Sequence, residues 1–246
     1  MAGVELHTIR SRPGNGEPEA ACAECAVRDA SFCSAVPARD LGVLARARQL
    51  VRFDRRETIV REGDPAISFF NITSGVVKLY RSLSDGRTQI IGFRFPGQYF
   101  AVSETKMHTT TAEAVSCVEA CKFSRSRLNR LTYLFPQLQA RLLQMSHRQL
   151  AASEDQIFLL GRMTAREKIV SFLLKNGRDL DRNRVERCQR IELPMTRAEV
   201  ADFLGLTTET VSRVLTKLAR EKLITVGMSR SIRLIDIDSL RRISGY

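Results

Sequence analysis

The stretch TRAEVADFLGLTTETVSRVLTKLAR, residues 196–220, decides how the rest of the chain is read. Thr196 followed three residues later by Glu199 is a capping box, in which each side chain satisfies an orphan backbone N–H and so opens a short helix. Gly205 supplies the tight turn, and Thr207 can cap a second helix. On that helix Val211, Val214, Leu215 and Leu218 fall at i, i+3, i+4 and i+7, which makes one apolar face. The opposite face carries Thr208, Glu209, Ser212, Arg213, Thr216 and Lys217. These side chains can read DNA: Arg donates to guanine O6 and N7, Glu accepts from a cytosine amino group, and Ser or Thr reaches base or phosphate. Two helices joined by so short a turn, the second polar on its free side, form a helix-turn-helix.

Any amphipathic surface helix shows a polar face, so the flanking sequence has to discriminate. Leu223–Val226 and Ser231–Ile235, joined by Gly227-Met228-Ser229-Arg230, read as a β-hairpin wing that sets Arg230 and Arg233 near phosphate. Upstream, Leu131, Leu134, Leu138, Leu142, Met145, Ala152, Ile157 and Leu160 keep helical spacing from about Arg127 to Gly161. That helix is either a core element or one that pairs with its copy in a second chain as a coiled-coil seam. A further helix follows Thr164-Ala165-Arg166-Glu167, and the polar stretch NGRDLDRNRVERCQR, residues 176–190, reads as a loop.

Further toward the N-terminus the period changes to two. LVRFDRRETIV, SFFNITSG, VVKLYRSL and TQIIGFRF, between residues 50 and 95, alternate apolar and polar side chains. Turn signals at Glu62-Gly63-Asp64-Pro65, Ser74-Gly75, Ser84-Asp85-Gly86 and Pro96-Gly97 bound them, as in a small barrel or jelly roll, with one more strand pair over about 110–123. The expected fold is α+β, in four parts: an arm at 1–49, a β-barrel at 50–130, a dimerisation helix at 131–161 and a winged helix-turn-helix at 162–246.

Composition narrows the function. With 39 Lys and Arg against 27 Asp and Glu, the formal charge is +12, enough to draw a polyanion by counterion release. No run of 18 apolar residues and no signal peptide is evident, so a cytoplasmic protein without a membrane partner is expected, with disorder confined to the first twenty residues. An enzyme finds no support, since there is no glycine-rich phosphate loop, nucleophile motif or acidic pair beside a histidine.

The six cysteines stand at 22, 25, 33, 117, 121 and 188, the first three spaced C-x2-C-x7-C. In a reducing cytosol this scatter points to metal or redox chemistry rather than a disulfide framework. Four thiolates suit zinc or an iron-sulfur cluster, and spacing alone does not separate the two. Cys188, in the polar connection, is read either as an exposed thiol without a role or as an oxidation-sensitive switch near DNA.

Taken in order, a cysteine-rich arm, a small barrel, a long helix and a winged helix-turn-helix resemble the bacterial superfamily of the cyclic-AMP receptor protein and the fumarate-nitrate-reduction regulator (CRP/FNR), with a barrel of the cyclic-nucleotide-binding type. LGLTTETVSR, residues 204–213, is similar to the recognition helix of the FNR branch. The resemblance implies a homodimer that binds double-stranded DNA at TTGAT-type inverted repeats through Glu209, Ser212 and Arg213, with Thr208 and Lys217 beside them, and that works with RNA polymerase. It also implies one oxygen-sensing [4Fe-4S] cluster per subunit, held by Cys22, Cys25, Cys33 and a barrel cysteine. Aligned to the family pattern, that ligand is Cys121 and Cys117 becomes a buried small hydrophobe. Cyclic-nucleotide binders of the superfamily carry an acidic residue after the glycine and an Arg ahead of a Ser or Thr. Here Gly97 leads into Gln98-Tyr99-Phe100 and no Arg precedes Thr111-Ala112, so no cyclic nucleotide is expected. The competing expectation is a regulator of the same fold with zinc or no metal, answering another signal or its own abundance.

Overall fold

The computed structural model describes residues 20–101, 106–180, 190–227 and 231–245. Most of the polar connection with Cys188, the wing tip with Arg230 and all but the last of the first twenty residues lie outside them. The chain forms two compact units, Met1–Arg81 with Phe93–His147, and Ser82–Gly92 with Arg148–Tyr246.

Eight strands run between Gln49 and Ser124: β1 (Gln49–Phe53), β2 (Thr58–Val60), β3 (Ser68–Ser74), β4 (Val77–Ser82), β5 (Thr88–Arg94), β6 (Tyr99–Phe100), β7 (Thr111–Ala114) and β8 (Val118–Ser124), all but β5 falling wholly or nearly so within the first unit. They make two four-stranded sheets, ordered β1-β8-β3-β6 and β2-β7-β4-β5. Alternation explains why two cores result. On β8, Val118 and Ala120 point into the barrel with Phe70, Ile72, Leu79 and Phe100. Cys121 and Phe123 point the other way, into a second core shared with Phe32, Leu44, Phe69, Leu131, Leu138 and Met145.

The arm supplies that second core. It folds as α1 (Ala20–Ala23), a 3-10 turn at Phe32–Ala35 and α2 (Leu41–Ala47), and Phe32 is fully buried. The Phe32 ring lies 5.2 Å from Phe69 and 5.6 Å from Phe123, centroid to centroid, within the range of favourable tilted aromatic pairs.

The helical run after the barrel is two helices, not one. Helix α3 (Arg125–Leu134) ends at Phe135, and α4 (Pro136–Arg162) begins anew. The residue before a proline is pushed out of helical backbone, and proline itself fits a first helical turn. The dimerisation helix expected over 131–161 is therefore Pro136–Arg162, and Leu131 and Leu134 belong to the preceding helix. The expected stripe also divides: Leu138 and Met145 are buried in the arm-side core, whereas Ile157 is exposed. Two leucines outside that stripe join it on the exposed side, so that Leu143, Leu150 and Ile157 are 57%, 59% and 72% exposed. These last three recur every seven residues, which is the spacing of a coiled-coil seam.

The second unit holds α5 (Ala165–Leu180), β9 (Arg190–Glu192), α6 (Arg197–Leu204), α7 (Thr208–Arg220), β10 (Ile224–Val226), β11 (Ser231–Leu234) and α8 (Ile237–Ser244). Helix α5 runs into the stretch read as a loop from Asn176 onward. The Asn176 side chain donates back to the Phe172 carbonyl at 2.7 Å, and a glycine at 177 costs a helix only about 1 kcal/mol. Strands β10, β11 and β9 form a three-stranded wing, and Ile90 N donates to Asp202 Oδ1 at 3.1 Å within the same unit.

Gly75 ties the barrel turn to β8. Its φ is +82°, and a Cβ there would stand 2.1 Å from the Cys117 carbonyl oxygen. Gly75→Ala is expected to lower stability by at least about 1–3 kcal/mol, read as a lower urea midpoint. An unchanged midpoint would contradict this turn.

Candidate functional site

Segments of the arm and three strands, β1, β3 and β8, converge on one cavity. Cys22 sits on α1, Cys25 in the turn after it, Cys33 in the 3-10 turn and Cys121 on β8. All four line a cavity of about 270 Å³, together with Arg28, Arg48, Asn71 and Glu119. Ser31 caps the 3-10 turn, its hydroxyl accepting from Cys33 N at 3.2 Å, which fixes where that thiol emerges. Cys121 is fixed by pairing, opposite Leu50 on β1 and Asn71 on β3.

The electrostatics follow from burial. Desolvation pushes the Cys33 thiol up to about 12 against a Ser31 hydrogen bond that favours the thiolate, with neighbouring Cys121 and Cys22 adding to the rise. Desolvation likewise pushes Cys121 up to about 12, opposed by Arg48. Arg48 donates from Nε to Cys22 Sγ at 3.1 Å. Burial works against its charge, and the Cys121 and Cys22 sulfurs more than offset that. Asn71 is 1% exposed, and its Oδ1 has no hydrogen-bond partner among the described residues.

The donor set speaks to size. Among the described residues no three His, Cys, Asp or Glu side chains gather closely enough to hold one metal ion. Zinc–thiolate bonds near 2.3 Å draw sulfurs tightly around a single centre. Four soft sulfur donors spread around a cavity, with an unsatisfied polar atom and two guanidinium groups, fit a larger and anionic group.

Cys117 is elsewhere. Strict alternation would place it on the face of Cys121, yet β8 starts at Val118, so Cys117 lies in the preceding turn and is exposed. It is not the buried hydrophobe that the sequence suggested.

The helix-turn-helix is built as its residues dictate. Thr196 Oγ1 accepts from Glu199 N at 3.1 Å while Glu199 accepts from Thr196 N at 2.7 Å. Gly205 closes α6 with φ +61°, and Thr207 Oγ1 accepts from Thr210 N at 3.2 Å to open α7. Val211, Leu215 and Leu218 are buried. Thr208, Glu209, Arg213, Thr216 and Lys217 are exposed together on the far face, with Ser212 half-buried among them. Arg197, at the start of α6, donates to Ser212 Oγ at 3.2 Å and so adds a cation to this face. On the wing, Arg233 is exposed on β11.

Comparison with known proteins agrees with this architecture. Residues 50–132 match the cyclic nucleotide-binding domain, and residues 167–243 match the Crp-like helix-turn-helix domain. The nitrogen fixation regulation protein FixK of Bradyrhizobium diazoefficiens is 37% identical over 87% of this chain and 90% of its own length. The chain belongs to the CRP/FNR family of transcriptional regulators. It is accordingly a DNA-binding regulator and not an enzyme. Among other CRP/FNR relatives, the transcriptional activatory protein AadR of Rhodopseudomonas palustris is 37% identical over 86% of this chain and 88% of its own. The structure of FixK2 from Bradyrhizobium japonicum superposes with a TM-score of 0.73, at 33% identity, over 80% of this chain and 96% of that one.

Arg28, Arg48, Asn71 and Arg197 were not singled out from the sequence. Only Arg197 had a local signal, an Arg directly after the cap residue of α6; the others declare themselves by lining one cavity with the cysteines. Burial gives a direct test of the cysteine geometry. A thiol near 12 is about one part in ten thousand thiolate at pH 8, so in reduced, metal-free protein iodoacetamide is expected to alkylate Cys117 far faster than Cys33 or Cys121. Equal rates by peptide mass spectrometry would contradict the placement of these residues.

Proposed function

We propose that this protein regulates anaerobic or microaerobic gene expression in the cytoplasm by sensing oxygen through one [4Fe-4S] cluster per subunit, held by Cys22, Cys25, Cys33 and Cys121. The observation that carries the reading is the convergence of those four cysteines, from two segments far apart in sequence, on one cavity. The name of another relative supports the same class: the transcriptional activator protein FnrL of Cereibacter sphaeroides is 28% identical over 91% of this chain. When bound, the cluster supplies an oxygen-labile link between arm and barrel.

What the chain does around that link follows from packing. The arm, β8 and the first turns of α4 share one core through Phe32, Cys121, Leu138 and Met145. Four sulfurs bound to one group would hold the arm on that core; without the group, the arm would keep only its apolar packing and its hydrogen bonds, such as that from Arg48 to Cys22. The change is thereby delivered to α4, whose exposed Leu143, Leu150 and Ile157 are the seam for a second copy. A two-fold pair sets two α7 helices one DNA turn apart, which suits an inverted repeat of TTGAT type. In each half-site Arg213 is read against guanine, Glu209 against the opposite strand and Ser212 against the neighbouring thymine, with Thr208 and Lys217 at the phosphates. The activator names of the relatives support RNA polymerase as the further partner. No cyclic nucleotide is part of this reading, because Gly97 leads into Gln98-Tyr99-Phe100 and no Arg precedes Thr111-Ala112.

Three experiments test this. In protein purified without air, Cys121→Ala is expected to lose iron and sulfide while Cys117→Ala keeps both; loss in Cys117→Ala alone would overturn the ligand assignment. Arg213→Ala is expected to weaken binding to a TTGAT palindrome by about 1–3 kcal/mol per contact, and Leu150→Asp to give monomers by sedimentation. Unchanged affinity in the first, or an intact dimer in the second, would contradict the DNA reading or the seam.

A further inference from the structure

We propose that Arg48 is a positioning residue for the iron-sulfur group: its guanidinium donates to the sulfurs of Cys22 and Cys121 and supplies the positive charge that a four-thiolate cluster requires. This inference rests on the cluster reading above.

Three observations converge on it. First, the residue is anchored at the boundary between the two halves of the cavity. Arg48 is the C-cap of α2, its backbone N donating to Leu44 O at 3.2 Å, and the next residue begins β1, which pairs with β8 so that Leu50 faces Cys121. Its backbone is thus tied to both the arm and the strand that carry ligands. Second, the side chain turns inward. Nε reaches Cys22 Sγ at 3.1 Å, and the guanidinium also bonds Cys121. A C-cap arginine left to itself extends its charged head into water; here the head is drawn between one arm sulfur and the barrel sulfur. Third, the cavity needs cations. A [4Fe-4S] centre with four thiolates is a dianion in its oxidised state, and Glu119 on the cavity wall adds to the negative charge. Arg28 is the other guanidinium there; it donates to Val36 O at 3.1 Å and leaves its buried Nε without a partner, so it has no hydrogen bond to sulfur among the described residues. Arg48 is the guanidinium aimed at sulfur.

N–H···S bonds and nearby positive charge withdraw electron density from thiolate ligands, which strengthens the cluster against oxidation. Removal of Arg48 should therefore leave the fold and the four ligands in place and change the electronic state of what they hold.

The test uses full-length wild type, Arg48→Gln and Arg48→Lys, each reconstituted anaerobically with ferrous iron and sulfide. Circular dichroism reports folding, resonance Raman reports the Fe–S(Cys) stretching frequencies, and loss of visible absorbance in air-saturated buffer reports cluster lifetime. Arg48→Gln is expected to shift the Fe–S(Cys) bands and to shorten the lifetime several-fold. Arg48→Lys, which keeps the charge but loses the planar donor set, should recover part of the lifetime and not the wild-type band positions. Wild-type bands and lifetime in Arg48→Gln would overturn the role of Arg48 alone. Failure of wild type itself to take up iron and sulfide would overturn this inference and the cluster reading together. Should Arg48→Gln not fold, a wild-type spectrum and lifetime in Arg48→Lys would still reject the proposal.

Discussion

The docking of Phe32 onto the outer face of the barrel sheet is the interaction on which the remainder depends. The ring is fully buried between Phe69 and Phe123, and it brings Cys33, the next residue, up to the strand that carries Cys121. Deleting such a ring from a core costs about 3–5 kcal/mol, more than the capping bonds around it can restore. Without that contact the arm loses its largest buried side chain against β8 and keeps the smaller Val36, Leu41 and Leu44 to hold its cysteines there. The same core includes Leu138 and Met145, so one apolar cluster joins the thiols to the base of α4.

Much of the architecture was legible because its signals are local. The capping box at Thr196 and Glu199, the glycine at 205 and the cap at Thr207 each act within four residues, and each formed as read. Period-two alternation likewise located the barrel strands between 49 and 124. What was lost was decided by tertiary context or by a single dihedral. The break at Phe135-Pro136 hides inside an apolar period that continues across it. The three-residue strand β9 is too short to show alternation, and α8 rests on one cap, Asp236 Oδ1 accepting from Ser239 N at 2.9 Å.

The site was legible to a similar degree. The arm spacing and Cys121 follow from ligand chemistry and a family resemblance, and the structure gathers those four around one space. Alternation misplaced Cys117, because the rule holds only inside the strand and β8 begins one residue later. Arg48 and Asn71 could not be found in advance, since an arginine 26 residues from Cys22 and a polar residue within an apolar strand carry no motif. The heptad Leu143, Leu150 and Ile157 was present in the sequence all along. It was masked by the inward residues Leu138 and Met145 on the same helix, and exposure separates the two sets.

Whether Cys22, Cys25, Cys33 and Cys121 hold an iron-sulfur cluster is decided by metal and sulfide content. Iron and acid-labile sulfide measured per chain, in wild-type protein isolated without air, test this most directly. The prediction is about four of each per chain, with broad absorption near 400 nm that bleaches on exposure to air. Colourless protein with one zinc per chain and no sulfide would contradict it.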